Sequence, residues 1–260
     1  MLQISAHTRA LAVTNAADTL HVALPAAYVE QFAEAEAFSA AASQTVCRRE
    51  SLHRAVLDAI QEGRDYLSDP VIRAMALNAQ LTDGNILAAA RSRTEQLKLA
   101  ALSDHAGDIL DGWADALDEH SAKLAAAADA GVNLNDAAGA VARGGAIMSH
   151  LHNAQVAVKA WTAAANGFYA LAAVAGVRNS ADSATVLTPA RLADLAPAYE
   201  MARDERAREV GAWILARCGL PLRLANLDEF KERAAQMKAD AQAEARNHAA
   251  RANAAGFNRR

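Results

Sequence analysis

Apolar residues alternate with polar ones only at the beginning of this chain; elsewhere they recur at helical spacing. The alternation within residues 3–24 involves Leu11, Val13, Leu20, Val22 and Leu24. Asn15 and Asp18 lie between its two halves, and such residues favour turns. The pattern therefore predicts a β-hairpin or extended arm over residues 1–24.

Residues 25–177 carry apolar positions three and four apart, which predicts a bundle of long helices. Pro25 is typical of a first helical turn, and the helix it opens is expected to stop near Gly63. Asp69 followed by Pro70 predicts an N-cap and a short helix to about residue 81.

Two longer helices are predicted after this short one. The first runs from Gly84 to Gly131 and would be about 70 Å long if it were unbroken. The second is expected between a cap at Asn133–Asp136 and a stop at Gly176. Such lengths predict an elongated fold that is mainly α-helical.

A heptad seam runs along the second of these helices, with spacings that alternate between four and three. Its positions are Ile147, Leu151, Ala154, Val158, Trp161, Ala165 and Phe168. Seams of this kind pack helices against one another. We therefore predict self-association through Ile147, Leu151, Val158, Trp161 and Phe168.

Small and polar residues predict a linker over 178–188, followed by C-terminal helices over 189–260. Thr188 and Pro189 resemble an N-cap and first turn, while Pro197 predicts a kink or restart. Gly219, followed closely by Pro221, predicts a helix stop.

Alanine accounts for much of the hydrophobic fraction of this chain. The chain has 260 residues and is 53% hydrophobic, but the 70 alanines account for about half of that fraction. Aromatic residues make up only 5%, which argues against the large core that an enzyme of this length usually builds. The alanine-rich stretch Ala160–Val177 is a poor membrane span, and the N-terminus lacks a signal-peptide pattern, so a cytoplasmic protein is expected.

A row of carboxylates is the most distinctive polar feature. It comprises Asp104, Asp108, Asp111, Asp115 and Asp118. On one helix these residues fall within about an 80° arc opposite the apolar face. A solvated acidic face is the simplest interpretation. Repulsion between neighbours leaves two alternatives open: a basic partner surface, or a divalent cation held with help from His105 or His120.

The remaining candidates give no catalytic constellation. His150 and His152 are about 200° apart on a helix and cannot share a metal. Cys47 and Cys218 are isolated and predict neither a disulfide framework nor a nucleophile. We expect no cofactor.

The C-terminus carries the opposite charge to the carboxylate row. Its last sixteen residues contain no acid and four arginines, Arg246, Arg251, Arg259 and Arg260. This tail either stabilises a helix end or docks on an acidic surface such as the carboxylate row of another copy. Nucleic acid is an expected partner only through this tail, because the net charge is −4.

One segment carries a family resemblance. The run from His152 to Trp161, His-Asn-Ala-Gln-Val-Ala-Val-Lys-Ala-Trp in an alanine-rich helix, resembles helical structural proteins of tailed-phage virions, such as scaffolding, internal-core and tail components. The resemblance implies a virion location and other structural proteins as partners.

The sequence thus favours a non-enzymatic helical assembly protein that acts as a homo-oligomer. A helical protein or enzyme that binds divalent metal through the carboxylate row is the first alternative. An adaptor that binds partner helices is the second.

Overall fold

The computed structural model describes residues 5–44, 46–177 and 183–257. Over these ranges the chain forms twelve helices and no strand. The first six helices are α1 (Ala6–Leu20), α2 (Ala26–Gln44), α3 (Arg49–Gln61), α4 (Pro70–Asp83), α5 (Ile86–Asp104) and α6 (Ala106–Asp129). The others are α7 (Ala137–Arg143), α8 (Gly145–Val174), α9 (Ala184–Leu187), α10 (Leu192–Asp204), α11 (Ala212–Arg217) and α12 (Leu227–Phe257). The mainly α-helical fold class is confirmed.

The predicted N-terminal hairpin is wrong, because α1 occupies most of the segment. Its buried residues lie on one face of the helix and are Ala6, Ala10, Val13, Ala16, Ala17 and Leu20. Leu11, which suggested the alternation, is 51% exposed. Alanine has the highest helix propensity and here supplies four of the six buried residues, so a pattern based on larger side chains missed the helix.

The long predicted helices are each interrupted. Residues 46–48 are not helical and separate α2 from α3. His105 separates α5 from α6, and Gly144, with φ of 101°, separates α7 from α8. A positive φ of this size disfavours residues with a Cβ, so glycine suits the break at 144.

The predicted N-cap at Asp69 is confirmed, and within the predicted cap Asn133–Asp136 it is Asp136 that caps a helix, although this is the short α7 and not the long helix expected there. The Asp69 carboxylate accepts hydrogen bonds from the backbone N–H groups of Val71 and Ile72 at the start of α4. Asp136 accepts one from Gly139 at 2.8 Å. These bonds satisfy donors that the first turn of a helix leaves unpaired.

The chain divides into two compact units, of which the first comprises Met1–His7 and Ala26–Leu102. Its buried core is thin, since α3 and α4 bury only Ala59, Ile72 and Ala79. Between α5 and α2, Lys98 Nζ lies 3.0 Å from Glu36 Oε1 and 4.4 Å from the centroid of the Phe32 ring. In this unit α3 and α4 therefore bury mainly small side chains, and large apolar side chains such as Leu57 remain exposed.

The second unit comprises Thr8–Pro25 and Ser103–Arg260. Its core lies between α6 and α8, which pack along their length. From α6 come Ile109, Trp113, Leu117 and Leu124, all at most 2% exposed. Phe168 of α8 adds an edge-on contact with Phe230, with ring centroids 5.1 Å apart.

The seam on α8 serves this internal packing. Leu151, Ala154, Trp161 and Phe168 are buried, and the other three positions are half-buried. Side chains that fill the core of their own unit have little surface left for a second copy. Self-association through Ile147, Leu151, Val158, Trp161 and Phe168 stays a prediction.

Gly167 allows α6 and α8 to approach closely. A Cβ at this position would lie 2.6 Å from Cζ3 of Trp113 and 3.0 Å from the Cβ of Ala16. Real Cβ atoms do not come that close to other carbons. The glycine therefore makes room for the indole of Trp113, the largest side chain in this part of the core.

The predicted linker over 178–188 is wrong for residues 183–188, which the structure describes. Residues 178–182 lie outside the described residues, but α9 follows them and is buried. Its Val186 and Leu187 carbonyls accept hydrogen bonds from Ala225 and Arg223 at 2.9 and 2.8 Å. This segment is thus part of the folded unit.

The predicted stop at Gly219 is confirmed. Gly219 has φ of 67°, and Leu220 N–H donates to the Leu215 carbonyl at 3.0 Å, as in a Schellman cap. The predicted start at Pro189 is early, because α10 begins at Leu192 and contains Pro197 in its interior.

Replacing Gly167 with alanine should lower the free energy of unfolding by about 1–3 kcal/mol, the usual cost of overpacking. Urea denaturation measures it. Gly107→Ala is the control, because Gly107 lies in α6 with open space around it and should change stability by at most about +1 kcal/mol. Equal effects of the two variants would contradict the close approach.

Candidate functional site

The carboxylate row forms a solvent-exposed face, as the simplest interpretation expected. Asp104 ends α5, and the other four lie on α6 with the buried stripe on the opposite side. All five residues are exposed. The structure thus confirms an amphipathic helix whose acidic side faces solvent.

Few cations approach this row. His105 Nδ1 lies 3.9 Å from Asp108 Oδ2. Across residues 5–44, 46–177 and 183–247, none of Asp104, Asp111, Asp115 and Asp118 forms an ion pair. The same part of the chain contains no group of three His, Cys, Asp or Glu residues that could hold a metal ion. The row therefore has few compensating cations, and its neighbouring carboxylates repel one another across solvent.

His120, the second histidine near the row, is half-buried on α6. Its Nδ1 is buried and has no hydrogen-bond partner among the described residues. Burial lowers the pKa of His120, and the positive charge of Lys123 lowers it further, while Glu119 opposes this and His21 adds a small decrease. The neutral imidazole is therefore favoured in the folded chain.

The other predicted candidates remain apart. His150 is half-buried and His152 is exposed on α8, as expected for two residues on different faces. Cys47 and Cys218 are both free and half-buried. Burial raises the pKa of the Cys218 thiol, which disfavours the reactive thiolate.

Only part of the basic tail can be placed. Arg246 is exposed on α12, where its Nε donates to the Gln242 carbonyl at 3.2 Å. Arg251 lies within the backbone of α12, and Arg259 and Arg260 lie outside the described residues. Docking of this tail on an acidic surface stays a prediction.

A more distinctive surface lies on the first unit, in an apolar groove between α3 and α4 with a volume of about 870 Å³. We call it the α3–α4 groove. It is lined by Leu52, His53, Val56, Leu57, Tyr66, Leu67, Ile72, Arg73 and Ala76. Leu57 and Leu67 are each 65% exposed. Side chains of this size are normally covered when they lie side by side.

Two neighbours extend the apolar surface of the groove. Ile60 follows Val56 by one helical turn, and Leu77 follows Arg73 by one turn, which places both on the groove side. Both are more than half exposed. The groove therefore continues along both helices.

The sequence carried a signal for this groove that periodicity did not detect. On α4, Ile72, Ala76 and Ala79 form the inward stripe, and Leu77 falls outside it. On α3, Leu57 similarly lies beside the stripe of Leu52 and Val56. A large apolar residue next to a complete stripe widens the apolar face beyond what one neighbouring helix can cover.

No protein-family model, curated protein or solved structure matches this chain. The resemblance to tailed-phage virion proteins therefore stays a prediction. Within the described residues, no helix has the length and apolar character needed to cross a membrane.

Replacing Asp115 with lysine should raise the free energy of unfolding by about 0.5–1 kcal/mol at low salt, because it converts repulsion from Asp111 and Asp118 into attraction. Chemical denaturation at low and high salt measures the gain, which salt should reduce. Asp115→Asn is the matched variant and should give about half the gain. A gain that salt does not change would contradict the electrostatic explanation.

The depressed pKa of His120 predicts a pH dependence. The unfolded imidazole, with its ordinary pKa of 6.5, binds a proton more readily than the folded one. Stability is therefore full above about pH 7 and falls as the pH drops through 6.5 towards the lower folded pKa. Thermal unfolding of wild type and His120→Gln across this range should show a smaller loss in the variant. Parallel curves would contradict the role of His120.

Proposed function

We propose that this protein is a non-enzymatic helical assembly protein that acts as a homo-oligomer, with the α3–α4 groove of one copy packed against the same groove of another. The observation that carries the proposal is the exposed apolar surface of this groove, with Leu57 and Leu67 each 65% exposed. Burial of such surface is the main driving force for protein association.

The area of the groove suits a partner of protein size. A leucine exposed to this extent presents roughly 100 Å² of apolar surface, so the five large side chains at the mouth present on the order of 500 Å². These side chains are Leu57, Ile60, Tyr66, Leu67 and Leu77. A stable interface takes about 800 Å² from each partner, part of it from a polar rim. The groove and its rim together fit that requirement.

The shape of the groove favours a second copy as the occupant. Helices α3 and α4 are 13 and 14 residues long, and the residues that join them are few, so they form an antiparallel hairpin. Two such hairpins stacked across a two-fold axis form a four-helix arrangement in which each copy covers the other's groove. The apolar surface of the groove is then buried in both copies.

Charge complementarity supports the same arrangement. Arg73 is the charged residue of the groove, and its Nε donates to the Leu67 carbonyl at 2.6 Å. If the two α4 helices lie antiparallel, Arg73 in the first turn of one lies over the last turn of the other. That turn contains Asp83, whose Oδ2 lies 2.6 Å from Nη2 of Arg49 and whose side chain remains 48% exposed. A cation at a helix C-terminus is favourable.

The resemblance to helical virion proteins and the thin core of the first unit both support this proposal. Alanine-rich helices gain only about 0.8 kcal/mol for each buried methyl group, so burial between copies supplements burial within one. A virion or scaffold role is the specific form of assembly that the resemblance implies.

Replacing Leu57 with glutamate should abolish self-association, because assembly would bury an unpaired carboxylate in an apolar groove. The fold should survive, since the side chain is 65% exposed in one copy. Sedimentation velocity over a range of concentrations measures the mass, and circular dichroism confirms the helix content.

Val141→Glu is the matched control, because Val141 is 63% exposed and lies on the second unit. It should assemble like the wild type. A wild-type protein that stays monomeric at all concentrations, or a Leu57→Glu variant with wild-type mass, would overturn the proposal.

A further inference from the structure

A cleft of about 300 Å³ in the second unit differs in kind from the α3–α4 groove. We call it the Trp161 cleft. Its walls come from α8, from the segment before α11 and from α11 itself, and include Trp161, Tyr169, Trp213 and Ile214. Three aromatic side chains thus converge on one small space, although the chain is only 5% aromatic.

The charged residues of the cleft are all acidic. Glu205 and Glu209 line it, and the described lining residues include no lysine, arginine or histidine. Arg217 forms an ion pair with Glu205 and compensates that carboxylate. Glu209 is exposed at the cleft and forms no ion pair within the described part of the chain, so its negative charge is available to an occupant.

Aromatic rings and an unpaired carboxylate favour the same kind of occupant. The face of an aromatic ring carries negative potential and attracts cations, most strongly for tryptophan. A carboxylate beside such rings adds attraction for a cation and repels an anion. The apolar wall around Ile214 favours a cation with carbon substituents over a strongly hydrated ammonium ion.

The size of the cleft limits the occupant. A volume of about 300 Å³ corresponds to roughly ten water molecules, and so to a molecule of about ten non-hydrogen atoms. The cleft lies near the lower end of the range for small-molecule pockets. It is too small for a helix or a protein loop with large side chains.

We infer that the Trp161 cleft binds a small organic cation, an ammonium group that carries apolar substituents. The partly exposed aromatic side chains Tyr169 and Trp213 contact the substituted ammonium, the buried Trp161 lines the cleft from the core side, and Glu209 balances the charge. This inference is independent of the proposed self-association, because the cleft lies entirely within the second unit.

Isothermal titration calorimetry of the full chain with three probes tests the inference. The probes are benzyltrimethylammonium, benzyl alcohol and phenylacetate, which share a ring and differ in charge. The cation should bind most tightly and the anion most weakly. Equal binding of all three, or no binding of the cation at its highest soluble concentration, would overturn the inference.

Two variants locate the binding site. Glu209→Gln removes one exposed charge and should weaken binding of the cation by about threefold, while binding of benzyl alcohol stays the same. Trp213→Leu should weaken the cation further by removing a ring. Glu244→Gln is the matched control, because Glu244 is exposed on α12 outside the cleft. A Glu209→Gln variant that binds the cation like the control would place the site elsewhere.

Discussion

The close approach of α6 and α8 at Gly167 is the contact on which the second unit depends. The glycine leaves room for the indole of Trp113, which a Cβ at Gly167 would displace. Ala16 of α1 lies against the same point, so three helices meet around one indole ring. Because interiors are close-packed, this ring limits how closely α6 and α8 can approach at this point.

Alanine explains the different character of the two units. Where alanines are interleaved with Trp113, Trp161 and Phe168, small residues let the helices come close while large ones fill the space between them. In the hairpin of α3 and α4, two of the three buried side chains are alanines, and residues such as Leu57 remain outside. The same composition therefore gives a closed core in one unit and an open apolar groove in the other.

The acidic side chains on the surface also lie in two different surroundings. The carboxylate row from Asp104 to Asp118 lies opposite the buried stripe of α6 and is open to solvent. Glu209 lies instead beside aromatic side chains in a small cleft. Glu209 is itself exposed, so what distinguishes it from the row is the aromatic surface beside it, which favours cations over anions.

The sequence alone determined the helical class, the caps at Asp69 and Asp136 and the stop at Gly219, because each depends on local hydrogen bonding or on backbone conformation. The helix over residues 6–20 became recognisable only in the folded chain, because four of its six buried residues are alanines and their burial is apparent only against neighbouring helices. The tertiary structure was also needed to recognise the groove and the cleft. The cleft brings together residues distant in sequence, whereas the groove lies between consecutive helices, and periodicity along one helix does not reveal what the next helix covers.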